Sequence, residues 1–444
     1  MNYGIVIRVL GDLLRLEAAA MLPSLLISLY YQQHDVTAFF LSILITGSIG
    51  WLLGRFTPGK QRIRAKEGLA IVAWGWLLVS LFGALPFIFS NSVPTIADAI
   101  FETISGFTTT GATVIKDVEV LPRGVLFWRS FTHWMGGMGI LVFTVALLPA
   151  LGVGGFQIFK AESPGPVADK IAPRIKDTAK ILYSTYIIIT LVQIVLLYLG
   201  GMSLYESTVH TLGTVGTGGF STRNASMGAF HSIYLQLVVA VFMIISGINF
   251  SLYFAAVKGK WNQVINNEEL RLYLGIIVGA TVLIGLNIAG TYQHFGLALK
   301  DAFFQVGSII TTTGYSTVNF DLWPSFSKGI LLLLMLVGGS AGSTAGGIKV
   351  IRVLTLFKLI KREIAKIFHP RAYVPVKVDK KVVPDDTLSS ITSFLALYLL
   401  ILVLGTIIIS LEGVDLETAV SSVITTLSNI GPGLRLVGPA QNFS

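Results

Sequence analysis

The 444-residue sequence has no cysteine, and only 12% of its residues are charged. Without cysteine there is no disulfide, thiolate ligand or thiol redox chemistry. A soluble domain carries roughly 25% charged residues, so this chain has too few charged side chains to coat a water-soluble surface of its size. That shortage excludes an ordinary soluble enzyme, a nucleic-acid-binding domain and a disordered chain. Histidine is also scarce. The six residues His34, His133, His210, His231, His294 and His369 are scattered, with no HExxH-like spacing. Enzyme activity and a bound cofactor are therefore not expected.

What the sequence has in quantity is apolar surface: 53% of its residues are hydrophobic. A helix needs about 20 mostly apolar residues to cross a bilayer. Nine stretches meet or approach that length, at residues 9–31, 37–54, 68–90, 124–150, 179–200, 232–257, 270–290, 328–348 and 388–411. The first is the weakest, interrupted by Asp12, Arg15 and Glu17. No cleavage pattern follows it, so it reads as a retained helix. With the N-terminus inside, 25 of the 32 basic residues fall in inner loops and five in outer ones, while Arg129 and Lys328 lie in or beside spans. The positive-inside rule then accounts for most of the net charge of +9 without an anionic partner.

The outer loops after spans three, five, seven and nine share an unusual composition. Each has a short apolar segment followed by a Gly/Thr/Ser cluster: DAIFETISGFTTTGAT (98–113), LYESTVHTLGTVGTGGF (204–220), DAFFQVGSIITTTGYS (301–316) and LETAVSSVITTLSNIGPG (416–433). Asp98 and Asp301 each lie thirteen residues before Gly111 and Gly314. Placing Gly218 and Gly431 on the same register gives repeat steps of 107, 96 and 117 residues. Four units of span, re-entrant segment and span explain this most simply. The expected fold is an all-α integral membrane protein: residues 1–54 form two leading helices, and 55–150, 151–258, 259–367 and 368–444 form four repeats.

Irregular backbone facing lipid is excluded, because each unpaired N–H or C=O there costs several kcal/mol. Four helix-then-glycine segments are tolerable if they converge where a cation satisfies their carbonyls, with the negative ends of the short helices aimed at it. Glycine lets carbonyls turn inward, and threonine or serine adds oxygens without fixed charge. One such cluster alone would read as a helix contact or turn. Four of them on one face favour a pore.

Residues 338–347 are ten consecutive small residues: Gly338, Gly339, Ser340, Ala341, Gly342, Ser343, Thr344, Ala345, Gly346 and Gly347. Each glycine weakens a helix by up to about 1 kcal/mol relative to alanine, so the eighth span is expected to break here. A close helix–helix contact through small residues is the plainer alternative. As a loop with little packing to hold it, the segment would suit a gate.

Other residues have plainer readings. Arg129 and His133, one turn apart, read as an inter-helix or interfacial contact rather than a site. Asp98 and Glu102 flank the first short helix, where they either attract cations at the mouth or, for Asp98, cap the helix. The basic run Lys349–Lys381 contains IRVLTLFKLIKREIAKIF. It reads equally as a positive-inside anchor or as a docking segment for a cytoplasmic partner or anionic lipid.

The four glycine-bearing loops, the sequence GGSAGSTAGGIKV (338–350) and the two leading spans together resemble the Trk/Ktr/HKT superfamily of potassium transporters, in its TrkH branch. The resemblance covers essentially the whole chain. It implies a potassium-channel-like pore fused into one chain, in a bacterial cytoplasmic membrane, with the filter loops outside. Glycine at all four filter positions goes with potassium rather than sodium. The implied ion-facing residues are Thr109, Thr110 and Gly111; Gly216, Thr217 and Gly218; Thr312, Thr313 and Gly314; and Asn429, Ile430 and Gly431. The resemblance also implies a homodimer, a cytoplasmic nucleotide-binding regulatory subunit and a gating loop at 338–347, with potassium as substrate and no cofactor. It further implies a membrane helix after the fourth filter, carrying a basic residue toward the ion path. The sequence stops thirteen residues after Gly431, so a longer parent protein is expected. A proton- or sodium-coupled secondary transporter is the competing class. It is disfavoured because the spans contain almost no carboxylate apart from Glu17.

Overall fold

The computed structural model describes residues 2–56, 65–139, 175–372 and 374–439. They fall into two compact units that meet in sequence between Ala229 and Phe230.

In the first unit, α1 (Tyr3–Ala20) and α2 (Leu22–Tyr30) occupy the first expected span. They are separated at Met21, and Pro23 in the first turn of α2 explains the interruption, since proline is tolerated only where its N–H is not needed. The charges that weaken this span are partly satisfied locally: Arg15 pairs with Asp12 at 3.0 Å and donates to the Trp51 carbonyl at 3.1 Å. α1 crosses α3 (Val36–Gly54) at a glycine contact, where a Cβ on Gly11 would lie 2.8 Å from the Gly50 carbonyl oxygen. Small residues let two helix backbones approach this closely in a membrane. α4 (Ala65–Gly83) and the short α5 (Leu85–Phe89) follow. After them come α6 (Ile96–Phe107), α7 (Arg123–Gly137), α8 (Ile175–Leu199) and α9 (Leu204–Val215). The later part of the fourth expected span, 140–150, lies outside the described residues. Phe107 and Trp128 meet edge to face in the core of this unit, and the Trp128 indole donates to the Gly83 carbonyl at 3.0 Å.

The second unit holds α10 (Ile233–Ser246), α11 (Phe250–Val257), α12 (Trp261–Ile265), α13 (Glu268–Ile288) and α14 (Phe295–Ile310). It continues with α15 (Ser325–Val337), α16 (Val350–Phe368), α17 (Asp385–Ser410) and α18 (Leu416–Leu427). A two-stranded hairpin, β1 (Lys377–Val378) and β2 (Lys381–Val382), precedes α17. Tyr273, Ile284, Val306 and Met335 are among the residues of its core.

Among the described residues five helices are long and apolar enough to span a membrane: 36–54, 66–89, 181–199, 268–291 and 385–410. The sixth expected span, 232–257, is not one helix. α10 and α11 are bent by 93° at residues 247–249. The bend has local causes: Gly247 caps α10, and the Asn249 side chain caps α11 by accepting from the Ser251 N–H at 2.9 Å. The unit boundary at 229/230 falls inside what the sequence reads as the second repeat, because α10 packs along α14 rather than with α8 and α9.

Candidate functional site: four helix-terminated glycine segments

Each Gly/Thr cluster follows a short helix that starts within a polar loop. α6 opens with a capping box in which Thr95 and Asp98 satisfy each other's backbone N–H groups, both at 3.1 Å. Capping is therefore what Asp98 does. Ser203 caps α9 by accepting from the Glu206 N–H at 3.2 Å, and Asp415 caps α18 by accepting from the Thr418 N–H at 2.9 Å.

The four C-terminal ends share one backbone course. A right-handed capping residue (Thr108, Gly216, Thr311, Ser428) leads into a left-handed non-glycine residue: Thr109 at φ 57°, Thr217 at 56°, Thr312 at 55° and Asn429 at 57°. Two residues further on is a glycine with positive φ: Gly111, Gly219, Gly314 or Gly431. β-branched threonine is rarely left-handed. Three such threonines at equivalent places are strained backbone of the kind that clusters at functional sites.

This course corrects the second segment by one residue. The sequence register takes Gly216, Thr217 and Gly218; the structural equivalents of Thr109, Thr110 and Gly111 are Thr217, Gly218 and Gly219. The Gly218 and Gly219 N–H groups both donate to Gly213, as those of Thr110 and Gly111 donate to Ser105. Gly216 is the helix cap. Because residues 216–219 read GTGG, composition could not say which glycine takes the left-handed position.

Within the first unit two segments touch. A Cβ on Gly111 would land on the Gly218 carbonyl oxygen. Within the second unit a Cβ on Gly314 would land on the Ile430 carbonyl oxygen, the equivalent atom. In both units the glycine is required by a neighbouring backbone as well as by its own φ. The Ser105 hydroxyl donates to Ala112 O and that of Ser308 to Tyr315 O, both at 2.6 Å, so the first and third segments are fastened alike.

Behind the first two segments lies a polar arrangement that residue-by-residue reading missed. Glu102 and Arg129 are buried and paired at 2.6 Å. The carboxylate also accepts from the Thr113 hydroxyl at 3.0 Å and the Val114 N–H at 3.2 Å, just past Gly111. The Arg129 guanidinium lies 4.0 Å over the Phe220 ring and donates to Ser221 O at 3.4 Å, just past Gly219. The His133 ring stacks on Phe220 at 4.1 Å, and a Cβ on Gly218 would strike it. Arg129 and His133 are thus supports for the two segments rather than a bland helix contact. The one-turn spacing was visible in the sequence, but the partners were not.

In the second unit α15 stops at Val337, and no helix resumes before Val350. The segment expected to be loosely held is densely fastened. The Ser340 N–H donates to Gly247 O, the Phe250 N–H to Gly342 O and the Gly347 N–H to Ser428 O, each at 3.0 Å. The Gly346 N–H donates to the Thr312 hydroxyl at 2.6 Å, and the Ala341 N–H to a Glu269 carboxylate oxygen at 2.7 Å. Unpaired backbone polar groups are not tolerated at membrane depth, so a broken span must find such partners. The second break, at 247–249, supplies some of them.

Among the described residues no group of three or more histidine or acidic side chains could hold a metal ion. What the segments present instead is backbone and hydroxyl oxygen, a donor set for a weakly held monovalent cation.

The chain matches the family model described as "TrkH: Cation transport protein" over residues 32–442. It is 39% identical to the Trk system potassium uptake protein TrkH of Salmonella typhimurium, covering all of this chain and 93% of that protein. It is 37% identical to the Trk system potassium uptake protein TrkG of Escherichia coli, covering 97% of this chain and 90% of that one. The crystal structure of the potassium transporter TrkH from Vibrio parahaemolyticus superposes with a TM-score of 0.88 at 35% identity, covering all of this chain and 92% of that one.

Proposed function

The chain belongs to the TrkH family of cation transport proteins, and from that premise we propose that it carries potassium across the bacterial inner membrane through a pore lined by backbone carbonyls. It is a transporter and not an enzyme. The ion-facing residues are 109–111 and 217–219 in the first unit and 312–314 and 429–431 in the second, and the loop 338–347 is the gate. The single observation that carries this reading is the fourfold recurrence of one backbone course at the C-terminal ends of four short helices. A left-handed threonine or asparagine with a positive-φ glycine two residues later exposes backbone carbonyls that replace a hydration shell without fixed charge.

The N-terminus lies inside and the four segments open outside, in keeping with the 25-to-5 split of basic residues. The name "Trk system" of the relatives supports a multi-component assembly. In it this chain is the membrane subunit, working as a homodimer with a cytoplasmic nucleotide-binding regulator. A proton- or sodium-coupled carrier is not favoured. The sequence counts Glu17 as nearly the only intramembrane carboxylate, whereas Glu102 and Glu269 are buried as well. Both are already engaged, by Arg129 and by backbone N–H groups respectively.

The test is growth of a potassium-uptake-deficient cell, with rubidium flux measured in parallel, for the wild type and for Gly111→Ser, Gly219→Ser, Gly314→Ser and Gly431→Ser. Loss of potassium over sodium preference is expected in each. Unchanged selectivity in all four would refute the filter.

A further inference from the structure

Glu269, at the start of α13, is 4% exposed. One of its carboxylate oxygens accepts two backbone N–H bonds. The first comes from Ala341 at 2.7 Å, early in the 338–347 loop; the second comes from Ile351 at 3.2 Å, in the first turn of α16 just after the loop. The same side chain therefore grips both sides of the segment that interrupts the span. The ammonium of the half-buried Lys349, a non-glycine residue at φ 81°, donates to the Ala345 carbonyl and closes the loop from within.

At its other side the loop is bonded to the ion path of this unit. Gly346 donates to the Thr312 hydroxyl and Gly347 to the Ser428 carbonyl, at the last turn and cap of α18. The loop is thus stretched between filter residues and one carboxylate. The carboxylate sits where an external movement could reach it. The preceding residue, Glu268, pairs with Lys358 on α16, and its backbone N–H donates to Asp379 in the turn between β1 and β2 at 2.8 Å.

We propose that Glu269 is the positioning residue that latches the intramembrane loop closed, and that displacement of α16 or the β1–β2 turn releases the loop by drawing this carboxylate away from Ala341 and Ile351. The inference rests on reading 338–347 as the gate. Bonds to a carboxylate are stronger than those between neutral groups, and this one carboxylate reaches both ends of the loop. Nothing local along the chain points to it, because Glu269 is 72 residues from Ala341.

The experiment is potassium flux into liposomes reconstituted with the purified full-length protein alone, without any partner. Glu269→Ala is expected to raise basal flux roughly tenfold, a population shift of the size that loss of hydrogen bonds to one carboxylate can produce. The potassium-to-sodium ratio should stay unchanged, a combination that general loosening of the fold would not give. Glu269→Gln, which keeps an acceptor oxygen, should restore most of the closure. A folded Glu269→Ala protein with basal flux at or below the wild-type level overturns the latch. If that variant cannot be recovered folded, Glu269→Asp decides the matter. Its carboxylate is one methylene short of reaching both N–H groups, so raised flux supports the latch and wild-type flux overturns it. Absence of potassium flux in the wild type, or unchanged selectivity in Gly314→Ser, would instead count against the pore itself.

Discussion

Arg129 and Glu102, on α7 and α6, form a fully buried ion pair at 2.6 Å whose remaining bonds run to the chain just beyond the first and second glycine segments. Both segments are therefore held from behind by a single pair of side chains. Removing one partner leaves a buried charge uncompensated, which destabilises proteins by about 3–5 kcal/mol. Arg129→Met and Glu102→Gln are each expected to lower the thermal unfolding temperature and to impair potassium selectivity. The double variant should be less damaging than the sum of the two. Strict additivity in unfolding measurements would mean the pair does not act as a unit.

The one-residue correction in the second segment has its own consequence. Gly218 lacks room for a Cβ because of the His133 ring, a side chain that can be removed. Gly219 is constrained by its own φ of 77°, which no neighbour can relieve. Left-handed backbone costs a residue with a Cβ about 1–2 kcal/mol. His133→Ala should therefore rescue transport in Gly218→Ala but not in Gly219→Ala. Rescue of both, or of Gly219→Ala alone, would restore the register read from sequence.

At the start of α18, outside the spanning helices, Glu417 accepts from Arg435 at 2.8 Å and from Lys328 at 3.1 Å. The hydrogen bond from Arg435 first, and that from Lys328 after it, hold its carboxyl below the usual glutamate range. A carboxyl with a lowered folded pKa contributes stability above its unfolded value, near 4.3, and that contribution is lost as the pH falls through the folded value. Acid unfolding of Glu417→Gln should lack this component. The comparison is of melting temperature against pH from neutrality to about pH 3 for the two proteins, the interval that brackets the ordinary glutamate value. Parallel curves would exclude the contribution.

The Tyr398 hydroxyl on α17 meets the Ser428 hydroxyl at 2.6 Å, at the cap where the fourth segment begins. Tyr398→Phe keeps the ring and removes the bond, a loss of about 1 kcal/mol. A small fall in melting temperature is expected, with weakened potassium preference arising from the fourth segment. Wild-type selectivity in a folded variant would show that this bond serves stability alone.

The amino-acid sequence by itself determined the membrane character, the four short helices with their glycine ends and the interruption after Val337. Each of these depends on local quantities: the length of an apolar run, the shortage of charge, and the inability of five glycines in ten residues to sustain a helix. Only the tertiary structure decided which of two adjacent glycines, Gly218 or Gly219, takes the left-handed position, that residues 232–257 bend at 247–249, and that Glu102, Arg129 and Glu269 support the segments and the loop. The reason is distance along the chain. Glu269 is 82 residues from Ile351, and Arg129 is 92 from Ser221. A buried charge is tolerated only beside the partner that folding brings to it.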